Sequence, residues 1–392
     1  NRPDCDYPEK NLCGAGVAFK LLDALAARCG WEGARRERLL DSFLKLVAIA
    51  TVADVVPLTG ENRVIVKRGL EGLNEVRNPG LRALLEVSGF PPGGRPPSAS
   101  EIAFRVAPRI NAAGRMASAS DVIEMLLTPD AARARELAQK LHALNQDRQQ
   151  TERDITEEIF RQCARQPVSD RDAALVFAGE GWHRGVVGIV ASRVVERFHR
   201  PAFVVSIDNG VAQGSGRSIP QFHLLEALEA MPELFTKFGG HRQAAGVTLE
   251  AGRIAEFRER LRTYAAERLR AEDFEPELAL DGELDVSEIT APNIAEIFGL
   301  APFGFGNPAP RFALRGLELA APPEIKNEKH VFLRLRAPGG RGLRAKAWGL
   351  ANRTAELAGA FDAAVQFEED AWSARRGYAG WQMVVKDVRA VR

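Results

Sequence analysis

The sequence predicts an α/β protein that ends in a small β-barrel. Three observations carry that prediction: helical spacing of apolar residues up to about Cys163, a strand-helix-strand alternation from Arg171, and short β-type runs from Glu275 onward. In VAFKLLDALAARCG the apolar positions recur at helical intervals, and Gly30 supplies the usual C-terminal stop. Residues 14–88 read as mostly helical. FPPGGRPPSAS then reads as a loop, and Ser98 with Glu101 is a capping-box signature that opens EIAFRVAPRINAAGRM. Thr128-Pro129 marks another helix start, with the proline in its first turn. Leu137, Leu141, Leu144, Ile155 and Ile159 carry the period to about Cys163, roughly 50 Å of helix at the usual rise. A helix that long, polar through NQDRQQ, suits a connector between domains.

Beyond Arg171, AALVFAG and PAFVVSID are strand-type runs, and GWHRGVVGIVASRVVERF between them reads as a turn and a helix. QFHLLEALEAMPELF reads as an amphipathic helix with Leu224, Leu225, Ala227, Leu228 and Met231 on one buried face. Glycine turns flank it, GSGRS before and FGGHRQAAG after. From Glu275 the β-type runs are LALDGELDV, RFALRGLELA, HVFLRLRA, RGLRAKAWG, DAAVQFEE and GWQMVVKDVRAV. About 115 residues of this texture fit an OB-type barrel.

At 392 residues the chain is long enough for two or three domains. Its 53 basic and 52 acidic residues leave a formal charge of +1, so any nucleic-acid site has to be a local patch. Cys5, Cys13, Cys29 and Cys163 lack CxxC spacing and no signal peptide precedes them, which predicts reduced thiols in a cytoplasmic protein. Leu46–Ala53 is the longest strongly apolar stretch and is too short to cross a bilayer, so no membrane association is expected. The irregular start at Asn1, without methionine, reads as a fragment whose beginning is missing.

Candidate chemistry concentrates in four places. In GSGRS, Gly214 and Gly216 let backbone approach an anion, while Ser215 and Ser218 offer hydroxyls and Arg217 a forked cation. Gly239 and Gly240 bring His241 onto a second glycine turn. Arg109, Asn111 and Arg115 lie in one short stretch of mixed helix and turn, as phosphate and sugar ligands or as solvated charges. Between Lys326 and Lys346 seven basic residues face one acidic residue, with Phe332 and Trp348 in or beside the stretch, and Phe332, Arg334 and Arg336 share one strand face, a platform for single-stranded nucleic acid or a charge-protected edge.

Asp54 interrupts the apolar run LVAIATVADVVPL. A buried carboxylate there is costly unless paired, capping or metal-bound, and a helix N-cap is the simplest reading. The two DxD triplets, Asp4-Cys5-Asp6 and Asp170-Arg171-Asp172, read as solvated loop charges. No HxH, HH or HExxH occurs, so a complete metal site is not expected.

In this order, ATVADVVPL, FRVAPRINAAGRM, GWHRGVVGIVASRV, GSGRS, FGGHRQAAG and PFGFGNPAPRF resemble the motifs of RecJ-type single-stranded-DNA exonucleases of the DHH phosphoesterase superfamily. The resemblance spans essentially the whole chain. It implies the C-terminal part of a DHH domain over 1–128, a connector helix over 129–170, a DHH-associated domain over 171–274 and an OB-type DNA-binding domain over 275–392. The implied activity is 5′→3′ release of 5′-mononucleotides from single-stranded DNA with Mn²⁺ or Mg²⁺, in repair and recombination. Asp54 matches the family's last metal-binding aspartate, Ser215 and Arg217 match the anchor of the 5′-phosphate with Arg109 or Arg115 helping, and His241 matches the histidine facing the scissile phosphate. The family's earlier aspartates and Asp-His-His motif have no match here, so the two-ion site is incomplete and the polypeptide is expected to bind DNA without cleaving it. The expected partners are single-stranded DNA, a single-strand-binding protein and a repair helicase, with the chain a monomer. Two alternatives stand beside this: a DHH-type phosphodiesterase of short oligonucleotides or cyclic dinucleotides, and a non-catalytic single-strand-binding subunit.

Overall fold

The computed structural model describes residues 4–374, 376–377 and 379–391. Helices come first: α1 Gly14–Arg28, α2 Gly33–Ala53, α3 Gly60–Glu71, α4 Pro79–Val87, the single turn α5 Ala99–Glu101, α6 Ala107–Met116, α7 Ser120–Leu127 and α8 Ala131–Arg165. An α/β segment follows, with β1 Leu175–Glu180, α9 Val187–Phe198, β2 Ala202–Asp208, β3 Val211–Arg217, α10 Leu224–Glu229, β4 Lys237–Gly240, β5 Ala244–Glu250 and α11 Ile254–Ala266. The last segment holds β6 Gly282–Glu283, α12 Ala291–Gly299, β7 Arg311–Leu319, β8 Glu324–Lys326, β9 His330–Arg336, β10 Gly342–Ala347, β11 Phe361–Glu369 and β12 Trp381–Ala390. These elements form two compact units. One comprises the chain up to Glu75, Gly93–Phe104 and Leu278 onward; the other comprises Val76–Pro92 and Arg105–Glu277.

Local chemistry accounts for the boundaries. Gly30 takes φ +72°, and the amides of Gly30 and Trp31 donate to the carbonyls of Ala27 and Ala26, which closes α1 in a Schellman turn. The Ser98–Glu101 box forms in both directions and leads through a π-helical stretch, Ile102–Val106, into α6. The long helix α8 begins two residues later than Thr128-Pro129 proposes. Asp130 is its cap, accepting from the Ala132 amide at 2.8 Å, while Pro129 confines Thr128 to extended backbone.

In the second unit the sheet order is β1-β2-β3-β5-β4, with β1 and β2 parallel across α9 and the other pairs antiparallel. GSGRS is no turn. Its first four residues lie in β3, the central strand, paired on both sides. The glycines are needed there because a Cβ at Gly216 would come within 2.5 Å of the Phe203 ring and one at Gly214 within 2.7 Å of Val205. Phe203 is fully buried and packs edge-on against Phe257, 5.2 Å away, a burial worth about 1.5–3 kcal/mol. The predicted helix after GSGRS keeps Leu224, Ala227 and Leu228 buried but ends at Glu229, with Met231 buried beyond it.

In the first unit the strands run β6-β7-β11-β12-β10-β9-β8, and β7 also pairs with β9. That pairing closes β7, β11, β12, β10 and β9 into a five-stranded barrel around Leu314, Leu335, Phe361 and Val365. LALDGELDV supplies only the two residues of β6, whereas β8 comes from a stretch with no strand pattern and is held by its pairing to β9.

Candidate phosphate site and nucleic-acid face

Alternation along β3 sorts its residues by face. Gly214 and Gly216 admit the core on one side; Ser215 and Arg217 project on the other, towards α9. There a Cβ on Gly188, in the first turn of α9, would lie 2.9 Å from Ser215 Oγ and 3.2 Å from Arg217 Nη2. Arg217 Nη1 donates to Ser215 Oγ at 3.0 Å and to the Gly216 carbonyl at 2.8 Å. Hydroxyl and guanidinium are thus fixed together against a helix N-terminus, where unpaired amides and the helix dipole favour an anion.

Arg115, near the end of α6, reaches the same place by donating from Nη1 to the Gly185 carbonyl at 3.2 Å. Burial holds the Arg217 guanidinium below its ordinary range, and the Arg115 charge pushes it the same way. Among the described residues neither arginine forms an ion pair. The sheet beside Ser215 is bare: across it stand Gly246 and then Gly239, and a Cβ at either would meet nothing closer than 3.8 Å.

Gly240 has φ +147° and opens the β4–β5 hairpin, where His241 is exposed and its amide donates to the Ala244 carbonyl at 2.8 Å. Ala244 pairs with Arg217, so the hairpin stands at the Arg217 end of β3. Arg242 ties the hairpin down by donating to the Pro220 carbonyl. Ser218 is committed to backbone, its hydroxyl donating to the Phe222 carbonyl at 2.9 Å. APRINAAGRM is continuous helix rather than helix and turn, and it divides its polar residues between faces. Arg109 turns to α8 and donates from Nε to His142 Nδ1 at 3.2 Å, whereas Asn111 is exposed.

Asp54 is neither buried nor an N-cap. It is the exposed C-cap of α2, which runs through the whole apolar stretch before Val55 turns the chain with φ +56°. A β-branched residue in that region carries strain of about 1–3 kcal/mol, and a carboxylate at a helix C-terminus opposes the dipole. Among the described residues no three His, Cys, Asp or Glu side chains gather into a possible metal site, and both DxD triplets lie outside regular structure.

On the barrel, His330, Phe332, Arg334 and Arg336 share the outer face of β9. Arg344 of β10 stands directly opposite Arg334, and Lys346 opposite Phe332. Like charges across a ladder repel, and none of Arg334, Arg336 and Arg344 has an ion pair among the described residues. Lys326 lies 4.6 Å over the Phe332 ring, and Trp348, nearly half exposed, packs edge-on to His330 and Phe332. Sequence reasoning missed Gly188 against Ser215 and Arg217, and it placed Trp348 beside the basic strand without showing that its ring is exposed.

Residues 280–387 match the RecJ OB domain and residues 171–267 match the DHHA1 domain. The single-stranded-DNA-specific exonuclease RecJ of Bacillus subtilis (strain 168) is 40% identical over 340 residues, 86% of this chain and 41% of the relative. That of Dickeya dadantii (strain 3937) is 40% identical over 354 residues, 87% of this chain and 61% of the relative. The crystal structure of RecJ in complex with Mg²⁺ from Thermus thermophilus superposes with a TM-score of 0.82 at 35% identity, covering 99% of this chain and 57% of that one. The chain belongs to the RecJ family. A second RecJ structure from that organism, in complex with Mn²⁺, gives the same TM-score at 34% identity, with 99% and 54% coverage. The chain therefore spans about half the length of the RecJ relatives it matches. The α/β and barrel architecture read from the sequence is that of RecJ.

Proposed function

We propose that this chain serves a 5′→3′ exonuclease that removes 5′-mononucleotides from single-stranded DNA in repair and recombination. The observation that carries this reading is the Ser215–Arg217 pair set against Gly188 at the start of α9, with Arg115 beside it and a glycine floor leading away. It suits a terminal 5′-phosphate. Ser215, Arg217 and Arg115 hold that group, Gly216 and Ser218 shape the strand end, and Gly239 and Gly240 let the next nucleotide lie on backbone towards His241. Arg109 and Asn111 contact backbone phosphates further along. Phe332, Arg334 and Arg336, with Trp348, hold the single strand on the barrel.

RecJ structures have been solved with Mg²⁺ and with Mn²⁺. Among the described residues no three His, Cys, Asp or Glu side chains gather where such an ion could sit. We therefore assign this chain Asp54 alone of a two-ion Mn²⁺ or Mg²⁺ centre, and binding without cleavage when the polypeptide acts by itself. The domain limits 1–128, 129–170, 171–274 and 275–392, a cytoplasmic monomer, and a single-strand-binding protein and repair helicase as partners complete the proposal. No helix among the described residues is long and apolar enough to cross a membrane.

The test is the affinity ratio between 5′-phosphorylated and 5′-hydroxyl oligonucleotides. Arg217→Ala removes a charge-assisted hydrogen bond worth about 1.5–3 kcal/mol, so the ratio should fall roughly ten- to a hundredfold. An unchanged ratio would reassign the pocket.

A further inference from the structure

The stretch NQDRQQ of α8 is not solvated throughout: Asn145 is 3% exposed and Arg148 only 9%. Burying a guanidinium requires compensation, and here it is specific. Arg148 Nη1 donates to Glu152 Oε2 at 2.8 Å and Nη2 to Asn145 Oδ1 at 3.0 Å, while its buried Nε has no partner among the described residues. Glu152 is shared, since its other oxygen accepts from Arg193 of α9 at 2.9 Å. That bridge pins α8 to the helix whose first turn faces Ser215 and Arg217. α8 also packs on α6, the helix that carries Arg115. Burial pushes the Arg148 guanidinium down, Glu152 draws it up, and the charges of Arg115 and Arg193 push it down again.

We propose that Arg148 is a positioning residue of the phosphate site, a buried and fixed cation whose field adds to Arg115 and Arg217 and makes the site select a doubly charged terminal phosphate over a singly charged internal phosphodiester. The inference rests on the phosphate-site reading above. Arg115 donates to the Gly185 carbonyl just before α9, and α8 is bonded to α9 through Glu152 and packed on α6, so Arg148 stands between the two helices that frame the site, with no carboxylate paired to either pocket arginine among the described residues. A buried charge is screened less by salt than an exposed one, so Arg148 acts at a distance where a surface arginine does not. Asn145 and Glu152 hold it in place. Glu152, as the nearest anion, sets how much of its field survives.

Two substitutions of opposite sign test this in the same chain, with 5′-phosphorylated and 5′-hydroxyl oligonucleotides as probes. Arg148→Met should lower the phosphate preference about five- to tenfold with little change for the 5′-hydroxyl probe, and Arg148→Lys should restore most of it. Glu152→Gln removes the nearest anion and should raise the preference; this variant decides the matter if Arg148→Met fails to fold. A ratio unmoved in folded Arg148→Met, a Lys variant as impaired as Met, or a lowered ratio in Glu152→Gln overturns the proposal. Arg217→Ala separates the two failures. If it abolishes the preference while Arg148→Met does not, the site stands and the role of Arg148 falls; if it leaves the preference intact, the phosphate-site reading falls first.

Discussion

At position 188 a hydrogen stands where any other residue carries carbon, and Ser215 and Arg217 occupy the room this leaves. Gly188→Ala therefore sets two effects against each other. Alanine favours helix over glycine by about 1 kcal/mol, while its methyl pushes the Ser215 hydroxyl and the Arg217 fork aside. The expected result is a melting temperature within about 5 °C of the parent and a collapsed preference for 5′-phosphate. Thermal melts and the two-probe affinity ratio check it; loss of both together would make Gly188 a packing residue. His241, exposed on its hairpin, is a different case. If it stabilises charge developing at the scissile phosphate, His241→Ala in the active nuclease should lower kcat by far more than it weakens DNA binding. Equal losses would assign it to binding. Single residues were also where the sequence misled. Asp54 looked buried because its neighbours are apolar, yet the turn made by Val55 at positive φ puts it outside, and no composition rule anticipates a valine there.

Among elements, those with local causes were legible. Gly30 after α1, the Ser98–Glu101 box and the apolar period of α8 each act within a few residues, and each formed as its pattern implies. The GSGRS strand was not legible, because its glycines answer to Phe203 and Val205 on another strand rather than to a turn. Its residue types were readable and its conformation was not. α8 also held a signal that went unused: Asn145, Arg148 and Glu152 continue the stripe of Leu137, Leu141, Ile155 and Ile159, and polar residues on an apolar stripe mark a buried network. At β9 and β10 the facing arginines lead to a separable pair of outcomes. Arg334→Ala with Arg336→Ala should flatten the salt dependence of single-strand binding by about 0.7 in log–log slope for each phosphate no longer held. Trp348→Ala should weaken binding by about 1–3 kcal/mol with the slope little changed, because its exposed face suits a base while Lys326 already covers Phe332. A parental slope in the double variant would leave the barrel face without a role in DNA binding.

For the whole molecule, the central expectation is binding without turnover. With no cluster of three metal-binding side chains among the described residues, incubation of this polypeptide with 5′-phosphorylated single-stranded DNA and Mn²⁺ should release no mononucleotides, while titration should still detect the complex. Mononucleotide release would show that ligands besides Asp54 complete the centre within this chain. The two units divide the proposed work: one carries the terminal-phosphate pocket, and the other carries Asp54 and the barrel face. The placement of Ser215 and Arg217 has a kinetic consequence. Both belong to a strand clamped between two neighbours, so the backbone that carries them cannot shift without breaking the sheet's hydrogen bonds. A pocket made this way has no open form to wait for. Capture of a phosphorylated end should be a single encounter whose observed rate climbs linearly with oligonucleotide concentration in stopped flow, and a plateau in that rate would reveal a shape change that a central strand does not permit.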